Sequence, residues 1–160
     1  MELRDPDTGV SVSLRPVAYE FDAHVAEHGN WLVIDGQASY RRGAWAFTEP
    51  CLTAGEAPEL SRWLRRVAVG EEPVSEPAED GRIWPSLMFT EPNMSYGVSS
   101  YDGDGAVLRL HFSLDSAPPW EAERATLTAQ FWIELCATAE ALLAAAQEWD
   151  SDIVAYPERT

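Results

Sequence analysis

Apolar and polar residues alternate in Val10-Ser11-Val12-Ser13-Leu14, and Trp31-Leu32-Val33-Ile34 begins a second extended run that Ala44 to Phe47 continues. A period of two marks a strand with one buried face, so the amino-terminal part reads as strands. The period then changes. Leu60, Trp63, Leu64 and Val67 recur at i, i+3, i+4 and i+7, the spacing of one helix face, and Gly70 supplies a stop. Thr53-Ala54-Gly55-Glu56 has capping-box spacing, but Pro58 would fall inside a helix begun there, so Pro58 is itself an alternative start.

The stretch from 71 to 81 holds Glu71, Glu72, Glu76, Glu79 and Asp80, no basic residue, and two breakers, Pro73 and Pro77. It is expected to be a solvated, mobile loop outside the core. Beyond it, Leu87 to Phe89, Met94 to Tyr101 and Ala106 to Asp115 read as strands, the last two joined by the hairpin signal Asp102-Gly103-Asp104-Gly105. Leu108, Leu110, Phe112 and Leu114 alternate with Arg109, His111, Ser113 and Asp115, which predicts one buried and one wet face. Past Pro118-Pro119-Trp120, Leu127, Ala129, Phe131 and Ile133 alternate with Thr126, Thr128, Gln130 and Trp132, a further strand. If the 106–115 and 124–133 runs pair as a hairpin, Arg109 lies near Gln130 and His111 near Thr128, with Trp132 on the same polar face as a candidate anchor. Leu135, Ala139, Leu142, Leu143 and Ala146 mark a closing helix. Strands, helix, strands, helix predicts an α+β fold: an antiparallel β-sheet with two helices packed on one face. The 160 residues fit a single domain, 1–160, which buries about 70% of its unfolded surface.

Charge narrows the function classes. Asp and Glu number 27 against 11 Arg and no Lys, a net charge of −16. Such a chain repels nucleic acid and anionic membranes; it is either highly solvated or drawn to a basic partner. No run reaches the roughly 18 apolar residues of a membrane helix, and Met1 to Asp5 lacks the basic start of a signal peptide, so a cytoplasmic address is expected. Cys51 and Cys136 have neither metal spacing nor a nucleophile signature and read as free thiols.

Several short motifs carry chemistry in other settings. His24-Val25-Ala26-Glu27-His28 matches H-x-x-E-H, in which two histidines one helical turn apart bind zinc and the glutamate activates water. Gly29-Asn30 stops any helix there and no third ligand is evident, so two loop histidines are the simpler reading. Asp102 to Gly105 begins like a calcium loop, but Ala106 and Ser113 stand where further ligands belong. His111, Ser113 and Asp115 share a strand face, an ordinary surface pattern as well as a triad's composition. Phe-Thr-Glu-Pro occurs at 47–50 and at 89–92, either as strand-end chemistry or as a carboxylate pair formed by Glu49 and Glu91. Trp31, Trp45 and Trp132 could build a sugar-stacking platform, although their spacing is irregular. No metal or other cofactor is expected.

Trp31-Leu32-Val33-Ile34, Cys51-Leu52-Thr53 leading into Glu59 to Leu64, and Phe89-Thr90-Glu91-Pro92-Asn93-Met94-Ser95-Tyr96 together resemble the WapI-type immunity proteins of bacterial polymorphic toxin systems. The closing strand and helix and the Tyr-Pro-Glu-Arg tail are similar too, so the resemblance runs from about residue 10 to 159. It implies a cytosolic protein that binds and neutralises a cognate toxin domain, often a nuclease, by stoichiometric occlusion, and it brings no catalytic residues. The acidic loop and the His24 to His28 segment have no counterpart in that pattern. The interface expected on this reading comprises Glu71, Glu72, Glu76, Glu79, Asp80, Arg109, His111, Gln130 and Trp132, facing a basic toxin. An acidic module binding a small ligand or carbohydrate is the alternative, and a zinc hydrolase using His24, Glu27 and His28 stands third.

Overall fold

The computed structural model describes residues 1–22, 29–121 and 131–159. Two four-stranded antiparallel sheets alternate with two helices. The first sheet orders β1 (Glu2–Arg4), β2 (Ser11–Tyr19), β3 (Trp31–Tyr40) and β4 (Gly43–Thr53) as neighbours in chain order, and α1 (Ala57–Ala68) follows. The second orders β5 (Leu87–Met88), β6 (Met94–Asp102), β7 (Gly105–Phe112) and β8 (Trp132–Thr138) in the same way, and α2 (Ala139–Ile153) closes the chain. The α+β order expected from the pattern is present, with its antiparallel strands divided between two sheets. Each sheet is a simple meander, and a two-residue turn closes the β3–β4 hairpin of the first and the β6–β7 hairpin of the second. In the β6–β7 hairpin Asp102 faces Gly105, and Gly103 takes the positive φ of 57° that the first central position of such a two-residue turn can require.

The inner faces of the sheets meet through Trp45 and Phe47 of β4 and Phe112 of β7, with ring centroids 5.2 and 6.0 Å apart. Buried residues of both sheets and both helices form one continuous core. Trp63 of α1 and Trp149 of α2 are fully buried, and each satisfies its indole N–H: Trp63 donates to Ser86 Oγ at 2.9 Å and Trp149 to the Ala57 carbonyl at 2.8 Å. Helix α1 begins at Ala57, with Pro58 in its first turn where no N–H is needed. The capping box forms one turn ahead of it: the Thr53 N–H donates to Glu56 Oε2 at 2.9 Å, and the Glu56 N–H donates to Thr53 Oγ1 at 3.2 Å. The helix thus starts beside Pro58, and the Thr53–Glu56 box closes the turn that leads into it and does not start the helix.

The structure corrects three local expectations. Strand β7 ends at Phe112, and Leu114 leaves it with φ 52° and an exposed side chain instead of continuing the apolar stripe. Leu135 belongs to β8 and not to the closing helix, while Leu143 of α2 is exposed. The pairing register of β7 with β8 sets Arg109 opposite Glu134 and His111 opposite Trp132, so Arg109 does not face Gln130 and His111 does not face Thr128.

Candidate partner-binding surface

The outer face of the second sheet is assembled in rows. Met88 of β5 faces Ser95 of β6, Ser95 faces His111 of β7, and His111 faces Trp132 of β8, so one row crosses all four strands. The next row holds Gly97, Arg109 and Glu134. Trp132 is half-buried and its ring lies 5.6 Å from the His111 imidazole, while Phe131 and Ile133 on either side of it are buried. The alternation that separates Trp132 from the core is thus realised. The wet face expected of β7 is not: His111 and Ser113 are each only 1% exposed. Gln130 lies outside the described residues.

The acidic loop docks onto this face, contrary to the expectation of a wholly solvated, mobile segment. Ser75 donates its N–H to the Val98 carbonyl at 2.8 Å, and Val74 bridges Val98 in parallel, which extends the sheet past the short β5. Arg109 ties the loop to the strands by donating from Nη1 to the Ser75 carbonyl at 2.9 Å, while its Nε reaches Glu134 at 3.2 Å. Glu72 is buried against Arg66 at 2.8 Å, and its carbonyl accepts from the Tyr101 hydroxyl at 2.6 Å. Two arginines flanking the loop, Arg66 and Arg82, pair with Glu72 and Asp80, so two of its carboxylates find cations just outside it. Gly97 makes the docking possible: a Cβ there would stand 2.8 Å from Ser75 Oγ and 3.6 Å from Pro85 Cα.

Past Ser75 the chain turns back on itself. Pro77 bridges Ile83 antiparallel and Ala78 donates to the Arg82 carbonyl at 2.7 Å, so Glu76 comes opposite Trp84. Glu71, Glu76 and Glu79 are exposed and have no ion pair among the described residues. From 84 to 88 exposure alternates, with Trp84 and Met88 each 45% exposed and Pro85 and Leu87 buried between them. The sequence reading passed over both exposed residues. The signal was available in Ile83-Trp84-Pro85, a tryptophan pinned between an acidic stretch and a proline where no apolar period continues.

The remaining candidates separate. Asn93 Nδ2 donates to the Pro50 carbonyl at 3.0 Å, so the two Phe-Thr-Glu-Pro segments adjoin. They adjoin around Cys51, whose thiol is pushed up to about 12 by burial, against the Asn93 hydrogen bond, with Glu49 and Glu91 adding to the rise. A thiol held that high stays protonated and is a poor nucleophile. The stronger joint is Glu56: its Oε1 accepts from the Thr90 N–H at 2.8 Å and Oγ1 at 2.7 Å, and its Oε2 accepts from Thr53. Burial alone would raise the Glu56 carboxyl, but these hydrogen bonds outweigh it and hold the pKa below its ordinary value. Trp45 is buried and bonds the Ser116 carbonyl, while Trp31 and Trp132 stand in different sheets, so the three do not form a sugar platform. The His24, Glu27 and His28 segment lies outside the described residues. Among the described residues no group of three or more His, Cys, Asp and Glu could hold a metal ion, and no helix is long and apolar enough to cross a membrane.

No curated protein and no solved structure matches the chain. A family model does, over residues 3–157, and it covers both sheets and both helices. On that match the chain belongs to the immunity protein WapI-like family.

Proposed function

We infer that this protein binds a cognate toxin domain and neutralises it by stoichiometric occlusion, with no catalytic step of its own. The match to an immunity protein family over residues 3–157 carries the reading. The chain's charge of −16 and the carboxylates of Glu71, Glu76 and Glu79 suit a toxin with a basic surface, such as a nuclease whose groove holds phosphates. Covering such a groove with carboxylates replaces the anionic substrate by charge alone. The protein would then act in the cytoplasm, where a toxin's nucleic-acid target lies.

The test is co-expression with the toxin domain encoded beside its gene. Growth arrest by that domain should be relieved by this chain, and the two should co-purify in fixed stoichiometry. A toxin that stays lethal and shows no binding to the purified chain would remove the reading.

A further inference from the structure

Trp, Tyr and Arg are enriched among the residues that dominate protein interfaces, so an exposed aromatic presented on a fixed backbone is a candidate anchor. Trp84 is such a residue. Its backbone is not a free loop, because Pro85 packs over Gly97, Pro77 bridges Ile83, and Ser75 is held by both Val98 and Arg109. Ordering a side chain already presented in this way costs little on binding. Around it stand carboxylates that the fold leaves uncommitted: Glu76 lies across the bridge, and Glu79 follows in the same turn, with no ion pair for either among the described residues. Glu72, in contrast, is used internally by Arg66. Trp132 is less suited to the role, since its ring is half-buried against His111.

Resting on the toxin-binding reading, we propose that the 76–88 segment is the docking surface, with Trp84 as its anchor and a basic protein surface as its occupant. Charge complementarity selects that occupant. An Arg or Lys of the toxin stacks on the Trp84 ring, where the electron-rich face attracts a cation, while Glu76 and Glu79 neutralise its charge. Met88, exposed at the end of the same segment, supplies an adaptable apolar flank. The surface therefore recognises cations through both a π face and carboxylates, which separates a basic protein partner from an apolar one.

The experiment measures binding of the catalytically inactivated neighbouring toxin domain to the full chain by biolayer interferometry, with circular dichroism confirming the fold of each variant. Trp84→Ala should weaken binding roughly a hundredfold, and Trp84→Phe should recover much of that loss by restoring a π face. Trp84→Leu, which keeps apolar bulk without it, should not. Trp132→Ala should cost less than Trp84→Ala. If wild type binds and the Trp84 variants stay within about threefold of it, the docking surface lies elsewhere while the toxin-binding reading stands. Equal recovery by Phe and Leu would make the contact apolar and overturn the cation-recognition part. If the wild-type chain does not bind at all, the functional reading fails and this surface assignment fails with it.

Discussion

The Glu56 carboxylate joins the two sheets, accepting from Thr53 at the end of β4 and from Thr90 between β5 and β6. Glu76 and Glu79 have no ion pair among the described residues, yet they sit on a segment fixed by the Ser75 to Val98 and Ala78 to Arg82 backbone hydrogen bonds. The same side chain thus has two uses in one acidic protein. Where N–H and O–H donors converge, the charge is consumed in holding the molecule together; where none converge, it is left for whatever approaches from outside. Net charge cannot make that distinction, because all of these residues count equally toward −16.

The comparison predicts a division between stability and binding, and its largest effect falls on Glu56. Glu56→Ala removes the acceptor from hydrogen bonds to a charged group and dissolves the capping box, which should cost about 2 kcal/mol. For a chain of this size that lowers the midpoint of thermal unfolding by roughly 4–8 °C, readable by calorimetry. Affinity for the toxin should not change at temperatures where the variant is folded. The pH dependence is a second handle. Because the folded carboxyl is held below its ordinary value, its contribution is complete above about pH 4.3 and is lost as pH falls through the folded pKa. The stability curves of wild type and Glu56→Gln should therefore converge in acid, and a gap that does not narrow at all as the solution is acidified would remove the carboxylate from the explanation.

Next in size is the joint that fixes the docking segment. Gly97→Ala would push a methyl group to 2.8 Å from Ser75 Oγ, a contact the serine can relieve only by turning or by lifting the loop. A cost of about 1 kcal/mol is expected, at the low end for overpacking because the serine side chain is short and can rotate. Hydrogen exchange locates it. The Ser75 amide, bonded to the Val98 carbonyl, should exchange faster in the variant, while amides of β3 should not. If Trp84 needs a fixed backbone, the same variant should also bind the toxin more weakly.

The sequence was most legible where a single period governed burial. The stripe of Leu60, Trp63, Leu64 and Val67 is buried in α1 as its spacing requires, and the meander of β6 and β7 follows from its turn residues. The split into two sheets was not legible, because alternation tells which face of a strand is buried and not which other strands share its sheet. Register failed for a related reason. The β7–β8 pairing is displaced from that of a hairpin between 106–115 and 124–133, and since that displacement is even, the facing of Trp132 survived although its neighbours changed. The loop failed differently: Glu72 is buried because Arg66, six positions back on α1, reaches it, and a charge pattern confined to 71–81 does not contain that arginine. Trp84 has no periodic partner, so its only signal is local, a tryptophan set before Pro85 where no apolar period continues.

The smallest effect concerns the uncommitted carboxylates, and it is the sharpest test of the division. Replacing Glu76 and Glu79 with Gln removes charges that no basic residue among the described ones balances, in a chain already strongly negative, so stability should change by less than about 0.5 kcal/mol. Binding kinetics should respond instead. Exposed charges act mainly on the rate of encounter, so association with a basic toxin should slow several-fold at low salt. The difference should shrink as ionic strength rises and the Debye length falls to about 8 Å near 0.15 M. Dissociation should change less, because once Trp84 is covered the complex is held by contact and not by long-range attraction. Stopped-flow association at two salt concentrations separates the outcomes. A double variant that unfolds more readily but associates as fast as wild type would place these carboxylates with Glu56, as part of what holds the fold together.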